Sequence, residues 1–210
     1  MVVRTVTVDW DGYEVRHPGV FTLLNTLPRA EARRAFSKVM EEKAARIEML
    51  RCVLKAQGLD LASTDAGIQD LNDWFLANVE ADPDNPGQLP PEWYSVVHDV
   101  ALFLGEVIIE RCPGLGWTLY TGGKKNVSYQ HHVLVGFSKV PNPKYNLDLD
   151  RRVAAYGHQI LATRGSVARY GHVTVRGVEI DVDAAVARQP DREIEKHAFW
   201  QWVKLAESQA

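Results

Sequence analysis

The stretch from Pro91 to Phe137 constrains this chain most: a nearly all-apolar helix, a Pro113-Gly114 break, then a strand-turn-strand unit. Pro91 suits a first helical turn and Pro113-Gly114 stops the helix, so the pattern predicts a helix over 91–111. At 100° per residue, Trp93, Val96, Val97, Val100, Ala101, Leu104, Val107 and Ile108 form a broad apolar arc. Leu102, Phe103 and Ile109 extend it further round. A helix apolar on most of its circumference is largely buried. Its carboxylates Asp99, Glu106 and Glu110 share a strip only about 40° wide, expected to face solvent or a cleft. Gly105 costs roughly 1 kcal/mol against alanine inside a helix, so another element is expected to pack closely there.

The flanking segments read as a mixed α+β fold: helices packed on small antiparallel hairpins in a single domain over 1–210, with a loop or linker at 80–90. Alternation around Asp11-Gly12 predicts a β-hairpin over 3–16. Thr26 and Pro28 open a long helix reaching Gln57, with Phe36, Val39, Met40, Ala44, Ile47, Leu50 and Leu54 on one face. Glu42 with Arg46 and Glu48 with Arg51 are expected to pair on its wet side. Ser63 and Thr64 cap a helix over 65–79 that buries Ile68, Leu71, Trp74 and Phe75. Strands are predicted at 117–121 and 126–137, joined by Gly122-Gly123-Lys124-Lys125. Further elements are a helix at 148–162, a hairpin at 172–182 turning on Arg176-Gly177, and a helix at 191–207. In that last helix Trp200 lies opposite the apolar face.

The bulk properties exclude several classes. With 210 residues, 46% hydrophobic and 24% charged, the composition is globular rather than disordered. A net charge of −3 argues against a general nucleic-acid binder. The basic residues Lys124, Lys125, Lys139 and Lys144 would need a contiguous face to revise that. Cys52 and Cys112 make no disulfide framework and read as reduced thiols in a cytoplasmic protein. No secretory leader and no membrane span are expected.

No established catalytic signature occurs. Thr121–Lys125 lacks the full phosphate-loop pattern, and Ser166 does not match a nucleophile elbow. If the second strand runs from 126, His131 falls on its apolar face with Val127, Tyr129, Val133, Val135 and Phe137. His132 then falls on the opposite, more polar face. Adjacent histidines that diverge make a poor metal pair, and His98, His158 and His172 stand isolated in sequence. No metal ligands and no cofactor are therefore expected.

Leu104-Gly105-Glu106, Trp117 and Val135-Gly136-Phe137 together resemble poorly characterised bacterial families of unknown function, over about 91–138. The resemblance implies no catalytic residues. In size and mild acidity the chain is similar to immunity proteins of bacterial toxin systems. The leading expectation is a protein that binds an unknown protein partner through Asp99, Glu106, Glu110 and Trp200. The alternative is a hydrolase or transferase that uses Glu106 and His131 as acid and base.

Overall fold

The computed structural model describes residues 8–17, 24–165, 172–175, 178–181 and 193–210. Its central element is α3 (Pro91–Arg111), bounded as the sequence predicts, with fourteen buried residues between Trp93 and Ile108. Around it pack α1 (Arg29–Ala56), α4 (Leu149–Thr163) and α5 (Ala198–Gln209), while α2 (Asp65–Asn78) lies against α4 and α5. Phe75 of α2 sits at the junction, its ring centroid 5.7 Å from Trp93, 6.0 Å from Tyr156 and 5.5 Å from Phe199. Four elements thus meet on one aromatic cluster, and aromatic pairs at these separations add to the burial of their area.

Two antiparallel pairs complete an α+β architecture: β1 (Gly116–Leu119) with β2 (His132–Val135), and β3 (His172–Val175) with β4 (Val178–Asp181). The second pair matches the hairpin expected at 172–182, although its turn at 176–177 lies outside the described residues. Of the hairpin expected at 3–16, residues 3–7 lie outside them too. The Asp11-Gly12 turn is present, with Gly12 at φ 74° and Tyr13 N donating to Trp10 O at 3.0 Å. Among the described residues, no helix is long and apolar enough to cross a membrane.

Several boundaries differ from expectation, each for a local reason. Pro28, not Thr26, caps α1, because residues 24–26 close a short 3-10 turn first. The last helix begins at Ala198, not near 191; the chain before it is held by side chains of other helices. Tyr156 Oη donates to Glu195 O at 2.7 Å, and Asn72 Nδ2 donates to Lys196 O at 2.8 Å. Asn72 Oδ1 then accepts from Phe199 N at 3.2 Å, so a residue 127 positions away supplies the acceptor that a cap would provide.

The largest revision concerns the strand expected from 126. Residues 123–131 form successive turns, closed by Asn126 N to Gly123 O, Tyr129 N to Asn126 O and His131 N to Ser128 O, each 3.0 Å. Gln130 has a positive φ of 64°, and its amide donates to Leu24 O at 2.6 Å and Leu27 O at 3.1 Å. β2 therefore starts only at His132, and His131 falls outside it.

Candidate functional site

β2 is buried on both faces, and His131 stands just outside it. His132 is the buried one, with its side chain 7% exposed, and His131 is the more open, at 28%. β1 fixes His132 through the Leu119–His132 pairing. One bridge further on, Leu134 exchanges both backbone hydrogen bonds with Leu147 at 3.0 Å, which lays the chain leading into α4 beside β2. Asp148 then caps α4, its carboxylate accepting from Arg151 N at 3.1 Å, and Asp150 occupies the first turn. Negative charge is favoured there by the helix dipole.

Asp150 meets two histidines at that point. Its Oδ2 lies 3.1 Å from His98 Nδ1 and 2.8 Å from His132 Nε2. His98 comes from the middle of α3, one residue before Asp99. The two imidazoles stand edge to face with centroids 5.2 Å apart, and Trp117 flanks His132 at 5.7 Å. Among the described residues, His98, His132 and Asp150 are the one set of three such donors that converge, all within 4.8 Å of one another. The rings are enclosed, whereas Asp150 keeps 26% of its side chain exposed and is the least enclosed member of the cluster. The 2.8 Å contact is close, but the carboxylate lies out of line with the imidazole, and His132 Nε2 makes no aligned hydrogen bond.

The electrostatics of the three differ. Burial pushes the His98 pKa down, against the opposing pull of Asp150. For His132 burial acts the same way, but the charges of Asp150 and Asp148 outweigh it and raise the pKa. Desolvation works against the Asp150 carboxylate, yet His132 and His98 hold it well below the usual carboxylate range. Arg16 is the nearby cation whose charge opposes protonation of both histidines. Its backbone N–H donates to Ser95 Oγ at 2.8 Å, one turn ahead of His98.

The residues singled out from sequence are distributed rather than gathered. Asp99 is fully enclosed, a correction to the expected contact strip on α3. Arg46 reaches it with two hydrogen bonds, Nε to Oδ1 at 2.8 Å and Nη2 to Oδ2 at 2.6 Å, and Tyr13 Oη donates at 2.5 Å. Arg46 is therefore not paired with Glu42 on the wet side; Glu42 faces Lys38 at 3.7 Å, while the Glu48–Arg51 pair forms as expected at 3.1 Å. A carboxylate on a helix buried all round must find its counter-charge inside, and Arg46 provides it.

Glu106 is half-exposed and bound to Lys43 Nζ at 2.6 Å, and it accepts from Trp117 Nε1 at 2.9 Å. His131 faces Asp148 instead, Nδ1 to Oδ2 at 3.1 Å, so Glu106 and His131 have separate partners. Glu110 is exposed. Trp200 is 37% exposed, with Lys204 Nζ 5.8 Å from its ring centroid. Gly105 answers the expectation of a close approach: a Cβ there would stand 2.0 Å from Trp117 Cζ2.

Sequence reasoning passed over His98, His132 and Asp150. His98 and Asp150 are 52 positions apart. The signal that was available was a buried-helix histidine together with an Asp-x-Asp at a helix start; neither is specific alone. The chain matches no protein-family model, no curated protein and no solved structure.

Proposed function

We propose that this chain is a hydrolase or transferase whose reaction centre is the His98–His132–Asp150 cluster. The observation that supports it is the convergence of two enclosed imidazoles on one partly exposed carboxylate. Such a centre holds a water molecule or substrate hydroxyl beside that carboxylate and draws a proton from it. An imidazole nitrogen without an aligned partner, such as His132 Nε2, can take that proton, and the adjacent Asp150 carboxylate stabilises the imidazolium.

Partner binding through the α3 carboxylates and Trp200 has less to rest on. Asp99 is enclosed, Glu106 is held by Lys43 and Trp117, and Trp200 is engaged by Lys204.

The test is turnover of a panel of chromogenic esters, amides, phosphoesters and glycosides. Any hydrolysis found should fall by about 10²–10⁴-fold in His132→Gln and Asp150→Asn, the usual contribution of a general acid or base. Glu106→Gln should leave it nearly unchanged. No turnover across the panel, or equal turnover in all variants, would count against the proposal.

A further inference from the structure

We infer that the cluster is a binding site for a divalent cation of the zinc class, ligated by His98 Nδ1, His132 Nε2 and one Asp150 oxygen. The inference rests on reading the cluster as a reaction centre. It replaces the imidazole by the ion as the group that acidifies the water.

The donor set comes first. Two imidazole nitrogens with one carboxylate oxygen suit zinc and its first-row neighbours, whereas magnesium and calcium take oxygen ligands. Three protein ligands with the remaining position open is the pattern of catalytic rather than structural zinc. Here Asp150 is the least enclosed of the three ligands, with 26% of its side chain exposed against 4% and 7% for the histidines.

The geometry is consistent with it. Ligands about 2.1 Å from a tetrahedral ion stand roughly 3.4 Å apart. The two nitrogen-to-carboxylate separations are 3.1 and 2.8 Å, and the three donors lie within 4.8 Å of one another. Adjustment of about an ångström brings all three to one ion, and rotation of the partly exposed Asp150 side chain can supply part of it.

An independent observation points the same way. His132 is more than nine-tenths enclosed, and its Nε2 has no aligned hydrogen-bond partner although it is aimed into the cluster. A buried ring nitrogen held beside a carboxylate by charge, with no aligned hydrogen bond, keeps its lone pair available to a metal ion. The Asp150 and Asp148 carboxylates also face His132, so two negative charges stand against the single opposing guanidinium of Arg16.

The experiment uses the full chain, stripped with a chelator and titrated with zinc by calorimetry and with cobalt(II) by visible absorption. We expect about one ion per chain and an intense d–d band, the mark of a four- or five-coordinate site. His132→Gln and Asp150→Asn, checked by circular dichroism to be folded, should bind at least 10-fold more weakly. His158→Gln should bind like the parent. Absence of a cobalt band in the parent chain, or binding that survives both ligand substitutions, overturns the inference, and the cobalt result stands even if a variant does not fold. Should the stripped protein retain a hydrolytic activity that His132→Gln abolishes, the ion's part in acidifying the water falls and the reaction centre remains, while binding itself is decided by the cobalt and zinc titrations. Should it bind zinc at the three ligands yet turn over nothing in the panel, the reaction centre falls and the binding site remains.

Discussion

The imidazole of His98 meets that of His132 edge to face, with ring centroids 5.2 Å apart, although one belongs to a helix and the other opens a strand. Neither could occupy that place without a particular neighbour. α3 carries His98 inward because its other faces are sealed by apolar side chains, and the bridge between Leu134 and Leu147 brings Asp150 up to both rings. Behind the cluster, Asp99 anchors α3 to α1 and to the segment around Tyr13. The site therefore depends on interactions that have no chemical role of their own.

The first of these is the Arg46–Asp99 pair, with side-chain exposures of 9% and 0%. Arg46→Met leaves a buried carboxylate without its counter-charge and should cost about 3–5 kcal/mol in urea unfolding. The double variant Arg46→Met, Asp99→Leu should recover much of that loss. Equal stability of Arg46→Met and the parent would show that the pair is not what holds α1 to α3.

Gly105 offers a second test. Its replacement by alanine drives a methyl group into the Trp117 indole, which β1 holds in place through the Trp117–Leu134 pairing. Gly105→Ala should destabilise by about 1–3 kcal/mol, the usual cost of overpacking. Trp117→Leu in the same background should restore part of it, measured by the shift in denaturation midpoint.

Acid stability tests the α2–α5 contact. Hydrogen bonds from Arg111 and Lys204 hold the Asp65 carboxylate at about 2, below its ordinary value of 3.8. A folded-state value below the unfolded one means stability that is complete above the unfolded value and lost as pH falls through the folded one. The contribution should thus fade between about pH 4 and pH 2, and Asp65→Asn should flatten that part of the profile. Because the group lies at the surface, added salt should weaken the effect. A profile unchanged by Asp65→Asn would exclude this contact as a source of acid sensitivity.

Much of the framework was legible in the sequence. The limits of α3, the burial of Ile68, Leu71, Trp74 and Phe75, and the tight approach at Gly105 all follow from local pattern, since periodicity and helix stops act within a few turns. What the sequence hid was pairing over distance. Arg46 looks like a solvated helix residue until Asp99, 53 positions on, is placed beside it. His131 lies outside β2 and His132 opens a strand buried on both faces, because the turns through Gln130 depend on Leu24 and Leu27, more than a hundred positions earlier. Asp150 carried no signal until its two imidazoles were in view.

The most direct test is anomalous diffraction at the zinc edge from crystals grown with zinc. The predicted result is one strong peak about 2.1 Å from His98 Nδ1, His132 Nε2 and an Asp150 oxygen. A zinc-replete crystal with those three side chains ordered and no peak between them would contradict it.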